Sequence, residues 1–330
     1  SSCLVLLLVL AGSAFAQLDP GVDVISDGDT LWIQTDFDGD GFEDPDALNM
    51  WVAWDTSQAE PHDVYKLYRN TYYPLSSTLA RNDGLTIVAD KPDAENHPPV
   101  ICPFEVEGNV PFHLINTPGD ITLHNIYFTT ECINTDAHGV HVLFSTSDNA
   151  HLEIHGCYAE WVHRFIFRAM GNDATWDFQN NYIRNAIKSQ NNPWGGIVIG
   201  NNNTPTGKSI VKNNTFFNVN GFIFKIKHNV CDELIFENNT LVNCLVYPIF
   251  FQIHTKSSIK NNIWLNCNAR GSWPFTIFRQ ESQNDPLPYS IVDVDTTNEW
   301  GADSLFAARA GITVDEIPEN MYIDVHNNWF

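Results

Sequence analysis

The sequence contains few basic residues. Its 330 residues include 17 Lys and Arg against 40 Asp and Glu, which gives a formal net charge of −23 at pH 7. A surface of this charge repels polyphosphates, and the sequence has neither a basic run nor an aromatic RNA-binding signature. We therefore expect no nucleic acid partner, and binding to an acidic glycan or an anionic membrane would need bridging cations.

Long apolar runs are also scarce. After the first sixteen residues no segment has 18 uninterrupted apolar residues, so we expect no membrane span in the mature chain. The run Leu4–Leu10 followed by Ala14-Phe15-Ala16 is typical of a signal peptide with an A-x-A cleavage site. The alternative is a short buried core helix. We predict that residues 1–16 are a signal peptide whose beginning is missing, and that the protein is secreted, periplasmic or held at the cell surface.

Several chemical motifs are absent. None of the six cysteines after the predicted signal peptide lies in a C-x-x-C pair, and no histidine belongs to an H-E-x-x-H motif. Six histidines crowd residues 124–163, and we expect them to satisfy backbone groups in turns rather than to bind a transition metal. Aromatic residues, in contrast, are abundant: 21 Phe, 10 Trp and 10 Tyr provide the apolar surface of a large folded core.

The most informative feature is a repeat, the hexad apolar-x-Asn-Asn-x-apolar. Full copies begin at Phe178, Val211, Phe236, Ile259 and Val325, and weaker copies begin at Leu123 and Ile154. All but the last of the intervals between consecutive copies are 23 to 33 residues long, which matches one coil of a β-solenoid with loop insertions. The last interval, 66 residues, could hold two or three coils.

Another asparagine follows each full internal copy at a fixed distance, at Asn185, Asn218, Asn243 and Asn266. Coils stacked about 4.8 Å apart would place these side chains above one another, so that each amide can donate to its neighbour along the column. Small or apolar residues follow them in the same register. Cys244 and Cys267 are therefore expected to stack in the adjoining column, as packed thiols or as a disulfide.

Each coil also carries a second apolar segment with a period near two, such as GFIFKIK from Gly221, which is typical of a strand between turns. A β-sandwich also uses short strands, but it does not require a column of identical asparagines. With its NNTF, NNTL and NNIW repeats, the chain resembles the right-handed parallel β-helix proteins of the pectate-lyase-like superfamily. We predict an all-β fold, a right-handed parallel β-helix (β-solenoid) over residues 85–330 that is truncated at its C-terminus.

Residues 17–84 lack the hexad and are predicted to form an N-terminal cap region. The segment Asp44–Trp54 has acidic residues at its start and apolar residues on one possible helical face, which favours a short helix. The first coil of a solenoid exposes an open core that needs covering. We therefore expect a short N-terminal helical cap.

The cap region also contains the acidic segment Asp36–Asp46, DFDGDGFEDPD. Oxygen ligands at alternating positions, with a glycine at the sharp turn, are what Ca²⁺ requires from a tight loop. The segment resembles the DxDGDG calcium loops of EF-hand-like and thrombospondin type-3 repeats, although Ala47 replaces the usual final carboxylate. We expect structural Ca²⁺, and the alternative is a solvated acidic turn. The expected ligands are Asp36, Asp38, Asp40, the backbone carbonyl of Phe42, Asp44 and Asp46, with Glu43 as a substitute for the last.

The resemblance to pectate-lyase-like proteins implies glycan chemistry on an outward face of the coils. A polysaccharide lyase needs a base, commonly Lys or Arg, and a cation that stabilises the enolate-like charge. Outward candidates in the second strands are Arg164, Arg168, Lys225, Lys227, Gln252, His254 and Arg279; the predicted catalytic residues among them are Lys225, Lys227, His254 and Arg279. Sugar-stacking platforms could come from Trp194, Trp264, Trp273 and Tyr247, although packing in the core or at its rim is the commoner role of such side chains. Solvated β-helix faces also carry Lys and Arg without catalysing anything.

Hydrolase motifs are incomplete. The segment around Asp136, INTDAHGV, is faintly similar to the NTD motif of polygalacturonases, but the chain has no Asp-Asp dipeptide and no Gly-His-Gly. If the protein is an enzyme, a lyase is therefore favoured over a glycoside hydrolase. The leading hypothesis is an exported β-helix protein that binds or cleaves extracellular polysaccharide. The alternative is a non-catalytic β-helix that serves as a surface, adhesion or fibre-forming module.

Overall fold

The computed structural model describes residues 19–139, 141–187, 196–202, 204–244, 249–267, 292–294, 302–320 and 322–329. The predicted signal peptide, Arg279, Trp194, Trp273 and Tyr247 lie outside these residues. Within them the chain is mostly β-structure, and the strands of each coil pair in parallel with those of the coils before and after it. The prediction of an all-β parallel β-helix is confirmed.

Each coil passes in turn through three strand layers, which we call faces A, B and C. Face A consists of β2 (Thr30–Ile33), β3 (Val64–Leu67), β5 (Leu85–Ala89), β8 (Ile121–His124), β11 (His151–His155), β14 (Ala174–Gln179), β17 (Thr206–Lys212), the C-terminal parts of β19 (Phe224–Glu237) and β21 (Ile249–Lys260), and β24 (Tyr322–His326). A short strand, β1 (Ser26–Asp27), pairs antiparallel with β2 at its edge.

From β5 to β21, each passage of the chain through face A is followed by a strand of face B and a strand of face C. Face B consists of β4 (Tyr72–Leu75), β6 (Val100–Pro103), β9 (Tyr127–Thr129), β12 (Tyr158–Glu160), β15 (Tyr182–Arg184), β18 (Thr215–Phe217), β20 (Thr240–Val242) and β22 (Ile263–Leu265). Face C consists of β7 (His113–Asn116), β10 (His141–Ser145), β13 (Phe165–Ala169), β16 (Ile197–Asn202), the N-terminal parts of β19 and β21, and β23 (Val292–Val294).

Parallel pairing begins within residues 17–84, upstream of the predicted start of the β-helix at Leu85. Strand β2 pairs in parallel with β3, and β3 pairs in parallel with β5. The hexad does not mark the corner between β3 and β4, because its left-handed residue, Asn70, with φ of 61°, is followed by Thr71 and not by a second asparagine. From Asn180 onward the corners between faces A and B have an Asn-Asn pair, of which the first member is left-handed.

The first helix, α1 (Ala47–Thr56), confirms the predicted cap helix: it begins three residues after the start of the segment Asp44–Trp54 and ends two residues after its end. It packs on the first coil: the Trp51 indole donates to the Gln34 carbonyl at 3.0 Å and meets the Phe37 ring edge-on at 5.1 Å. At its C-terminal end the buried carboxylate of Asp55 accepts a hydrogen bond from the Tyr65 hydroxyl at 2.9 Å. These contacts join the helix to β3 and the segment that follows β2.

Two further helices lie near the C-terminus, α2 (Ala302–Ala310) and α3 (Ile317–Asn320), with a 3₁₀ turn at Val314–Glu316 between them. Arg309 at the end of α2 donates to both carboxylate oxygens of Asp232, at 2.9 and 3.0 Å, and also contacts Asp173. None of the helices in the described part of the chain is long and apolar enough to cross a membrane.

The predicted asparagine column is confirmed at the corner that follows face B. Asn218, Asn243 and Asn266 each donate from Nδ2 to Oδ1 of the preceding member, at 3.1, 3.0 and 2.7 Å, and the column begins at Asn185. All four residues have left-handed backbones, with φ between 51° and 54°. Asparagine tolerates this conformation better than most residues, so the backbone conformation of the corner favours asparagine at these positions.

A second, buried column forms from the second asparagine of each hexad. Asn239 is typical: its Oδ1 accepts hydrogen bonds from the backbone N–H and the Nδ2 of Asn214, both at 3.0 Å. Its own Nδ2 donates to the Val211 carbonyl at 2.9 Å. These bonds satisfy polar groups that the corner between faces A and B buries. The other members are Asn181, Asn214, Asn262 and Asn328.

The core inside the coils is built from stacked apolar residues of the hexads. The rings of Phe178, Phe216, Phe236 and Trp264 follow one another at centroid distances of 6.4, 6.4 and 5.9 Å. Complete burial of each such side chain contributes about 1.5–3 kcal/mol to folding. In the adjoining column Cys244 and Cys267 are free thiols in contact, and this contact together with burial raises the pKa of Cys244.

Candidate functional site

Of the predicted catalytic residues, Lys225 and Lys227 lie on face C, whereas His254 lies in the part of β21 that belongs to face A. Lys225 in β19 is only 2% exposed, and its Nζ lies 5.4 Å from the centroid of the Phe222 ring. Lys227 and His254 belong to β19 and β21, and Arg279 lies outside the described residues. The buried ammonium of Lys225 does not face solvent. The catalytic role of these residues stays a prediction.

In earlier coils, face C carries a partly buried cluster of imidazoles, aromatic rings and a guanidinium on β7, β10 and β13. The imidazoles of His113 and His141 stack with centroids 5.0 Å apart, and the Arg168 guanidinium lies 4.7 Å from the Phe165 centroid. Burial, and then the charge of Arg168, lowers the pKa of His113 to about 4. Burial, and then the neighbouring His113, lowers the pKa of His141 to about 3. Both rings are therefore neutral at pH 7.

An open cleft lies on face B, and we call it the tyrosine cleft. Its floor is a row of tyrosines at equivalent positions of three consecutive coils, Tyr127, Tyr158 and Tyr182. The Tyr158 and Tyr182 rings are 6.0 Å apart and tilted by 48°. The cleft has a volume of about 840 Å³ and is closed at one side by the segment 92–98. Its size and its mixed aromatic and polar lining suit a small-molecule or oligomer ligand.

A polar network crosses the floor of the tyrosine cleft. The Tyr127 hydroxyl donates to the Glu160 carboxylate, which also accepts from Nε of Arg184. A second bond joins Arg184 Nη2 to Glu160 Oε1 at 3.0 Å. Hydrogen bonding to Glu160 raises the pKa of Arg184. The network fixes three side chains that can donate to or accept from a ligand lying on the tyrosines.

Trp161 stands at the rim of the cleft in an unusual backbone conformation. Its φ is 53°, and its side chain is 41% exposed. The left-handed region costs a residue other than glycine about 1–2 kcal/mol. The Trp161 carbonyl accepts a hydrogen bond from Thr130 Oγ1 at 2.8 Å, which fixes the corner. A strained, exposed indole beside a cleft is typical of a binding residue.

Carboxylates dominate the charge of the cleft. Four line it, against the single guanidinium of Arg184: Asp93, Glu95, Glu131 and Glu160. Asp93 fixes the wall, because its Oδ1 accepts the backbone N–H groups of Glu95 and Asn96, both at 2.9 Å. The bond from Glu95 is the main cause that lowers the pKa of Asp93. The cleft is therefore acidic at neutral pH.

The acidic loop Asp36–Asp46 brings together three of its predicted ligands. Carboxylate oxygens of Asp36, Asp38 and Asp40 all lie within 4.8 Å of one another. The N–H groups of Gly39 and Gly41 donate to the Asp36 carboxylate at 2.7 and 3.0 Å. Both glycines have left-handed backbones, with φ of 79° and 88°, so the tight turns require glycine.

Two other predicted ligands of this loop, Asp44 and Asp46, accept hydrogen bonds from neighbouring groups of the protein. The Asp44 carboxylate accepts the Phe37 N–H at 2.7 Å. Asp46 is 8% exposed and accepts the Ser76 N–H at 2.7 Å and Asn49 Nδ2 at 2.9 Å, which ties the loop to the first coil. Among the predicted calcium ligands, the carboxylates of Asp36, Asp38 and Asp40 are therefore the ones that lie close together.

Sequence reasoning missed the tyrosine cleft, although a signal for it was present. Tyr127, Tyr158 and Tyr182 occupy the fifth position of three consecutive hexad copies, in LHNIYF, IHGCYA and FQNNYI. Later copies have Thr, Ile or Trp at this position. Since the fifth position lies between inward-facing residues, strand alternation points it outward. Three tyrosines in succession therefore indicate an aromatic strip on the surface.

No family model, no curated protein and no solved structure matches the chain.

Proposed function

We propose that the protein binds extracellular polysaccharide in the tyrosine cleft. The observation that carries the proposal is the row of Tyr127, Tyr158 and Tyr182, one ring per coil, beside the exposed indole of Trp161. Flat apolar faces of sugar rings pack on aromatic side chains, and the sugar hydroxyls need nearby donors and acceptors. Glu160 and Arg184 supply both. A repeating row of rings suits a polymer better than a compact ligand.

The charge of the cleft favours a neutral glycan. Its four carboxylates outnumber its one guanidinium, so a polyuronate would be repelled unless cations bridged it. This ligand differs from the uronate polymers that the lyase hypothesis requires. The resemblance to pectate-lyase-like β-helices and the expected export of the chain support polysaccharide as the ligand class.

We further propose that the acidic loop binds Ca²⁺ as a structural ion. The convergence of Asp36, Asp38 and Asp40 supports it, as do the two left-handed glycines that shape the loop. The loop is bonded to the first coil through Asp46 and precedes α1 directly. An ion there would stabilise the cap rather than act on a glycan.

The test is affinity electrophoresis through gels that contain single neutral or acidic polysaccharides, followed by calorimetry with oligosaccharides of any that retard the protein. We expect retardation by a neutral polymer. Tyr158→Ala should weaken binding at least tenfold, which corresponds to about 1.4 kcal/mol. The matched control is Tyr322→Ala, which removes an exposed tyrosine from face A and should leave the affinity unchanged.

Two results would overturn the proposal in favour of other functions. Unsaturated products from a uronate polymer, detected by their absorbance and lost in Lys225→Ala, would assign lyase activity to face C. No binding to any polysaccharide, with concentration-dependent self-assembly instead, would favour a fibre-forming or adhesion module.

A further inference from the structure

A compact group of nitrogen and oxygen donors lies on face A, away from the tyrosine cleft and the acidic loop. It comprises His124 at the end of β8 and Glu153 and His155 in β11. His124 Nε2 lies 2.7 Å from Glu153 Oε1, and His155 Nδ1 lies 3.5 Å from the same oxygen. One ligand atom from each residue can be chosen so that all lie within 4.8 Å of one another.

The parallel register explains why the two histidines meet. His124 and His155 are paired across β8 and β11, and both occupy the second position of a hexad copy. Their rings stack with centroids 5.2 Å apart and an interplanar angle of only 1°. Glu153 lies two residues before His155, so its side chain emerges on the same side of the strand. The strand spacing alone therefore sets the distance between the donors.

We propose that His124, Glu153 and His155 form a binding site for a divalent transition metal of the Zn²⁺ class. Zn–N and Zn–O bonds of about 2.0–2.2 Å place neighbouring tetrahedral ligand atoms roughly 3.3–3.6 Å apart. The separation of 3.5 Å between His155 and Glu153 already fits, and the separation of 2.7 Å between His124 and Glu153 must widen. The two histidine nitrogens, which lie within 4.8 Å of each other, must approach, and side chains that are each about 30% exposed have room to rotate.

The surroundings of His155 match those of a metal-bound imidazole. With Nδ1 turned toward Glu153, its other nitrogen, Nε2, is buried without an aligned hydrogen bond and lies 3.2 Å from Asp177 Oδ1, so a small rotation of the ring on metal binding would align the two. A carboxylate at the second nitrogen fixes the ring and increases its basicity as a ligand. Asp177 is itself held by Gln179, whose Nε2 donates to Oδ1 at 2.6 Å. Mutating such a supporting carboxylate lowers metal affinity about 10–100-fold.

Three protein ligands leave one tetrahedral position open to solvent. A site of two histidines and one glutamate with an open position has the composition of sites that bind water or a second ligand. The metal would also link the two coils that contribute β8 and β11. Since neither β8 nor β11 contributes to the tyrosine cleft, the site is independent of the proposed glycan binding.

The experiment is a calorimetric titration of the full chain with Zn²⁺ in buffer that contains excess Ca²⁺, so that the acidic loop is occupied. We expect one site per chain. His155→Ala and His124→Ala should each weaken binding at least tenfold, and Asp177→Asn about 10–100-fold. The matched control is His151→Ala, which removes a neighbouring histidine of β11 that lies outside the group. Cys267→Ser controls for binding to the partly exposed thiol.

Melting curves without zinc show whether each variant folds, and a variant that does not fold is replaced by the corresponding His→Gln change. The proposal is overturned if Zn²⁺ neither binds nor raises the melting temperature. It is also overturned if the double variant His124→Ala/His155→Ala keeps the affinity of the parent, or if His151→Ala or Cys267→Ser loses as much affinity as the ligand variants.

Discussion

Trp161 and Asn185 occupy the same corner position in successive coils, and both backbones are left-handed, with φ of 53° and 51°. The residues before them, Glu160 and Arg184, are paired across β12 and β15. Trp161 thus stands where the asparagine column would gain one more member. The chain places a bulky indole at a corner that suits asparagine, beside the tyrosine cleft.

The first prediction concerns the stability cost of Trp161. Trp161→Asn should raise the free energy of unfolding by about 1 kcal/mol, because asparagine tolerates the left-handed region and Asn185 gains a partner for its amide. The same change should weaken glycan binding, since it removes an aromatic ring from the rim. Urea denaturation and calorimetry with the bound oligosaccharide measure the two effects. If the variant is less stable than the parent protein and binds the oligosaccharide with the same affinity, Trp161 is not a strained binding residue.

The second prediction compares the two asparagine columns. Asn239→Leu should lower the free energy of unfolding by about 3 kcal/mol or more, because the backbone N–H and one side-chain N–H of Asn214, and the Val211 carbonyl, each lose a buried hydrogen bond. Asn266→Ala, at the exposed end of the other column, should cost only about 0.5–1 kcal/mol. Urea denaturation of both variants gives the comparison, and equal losses would refute it.

The columns show how much of the fold could be predicted from the sequence. A column of identical residues at a fixed spacing requires stacked coils, and the Asn185 to Asn266 column forms as expected. The corner between β3 and β4 could not be predicted in this way, because Asn70 is followed by Thr71 and not by a second asparagine. A sequence repeat identifies coils only where successive coils form the same corner with the same residues.

The candidate sites were harder to predict for a different reason. The alternation of its strand predicts an outward side chain for Lys225, but the sequence does not show that this side chain is covered, with only 2% exposure. The tyrosine cleft depends on a wall formed by residues 92–98, which share no repeat with the floor. Such insertions between strands determine which outward-facing residues stay exposed to solvent. Because the inserted segments do not follow the repeat, their position cannot be predicted from it.

The third prediction concerns calcium. EDTA should lower the melting temperature, since an ion at 100 times its dissociation constant stabilises the folded state by about 2.7 kcal/mol. Asp38→Ala combined with Asp40→Ala should abolish this sensitivity. Asp27→Ala, which removes an exposed carboxylate of β1, should retain it. Identical melting curves with and without chelator for the parent protein would remove the calcium proposal.

The fourth prediction concerns acid stability through His113 and His141. Folding lowers the pKa of these rings to about 4 and about 3, from about 6.5 in an unfolded chain. Below pH 6.5 the unfolded chain therefore binds protons that the folded chain does not. As the pH decreases further, the free energy of unfolding falls by up to about 1.4 kcal/mol per pH unit for each ring.

His141→Phe tests this directly, because the phenyl ring can replace the imidazole between His113 and Phe165 but cannot titrate. Urea denaturation between pH 6.5 and 5 should give a shallower loss of stability for the variant than for the parent. The absolute stability of the variant is irrelevant to the test. Equal slopes would mean that His141 does not resist protonation in the folded protein.

The most direct test of the account is a crystal structure of the protein with an oligosaccharide that binds it in solution. We predict sugar rings lying over Tyr127, Tyr158 and Tyr182, with hydroxyls bonded to Glu160 or Arg184. A sugar bound on face C, against Arg168 or Lys225, would contradict the central claim.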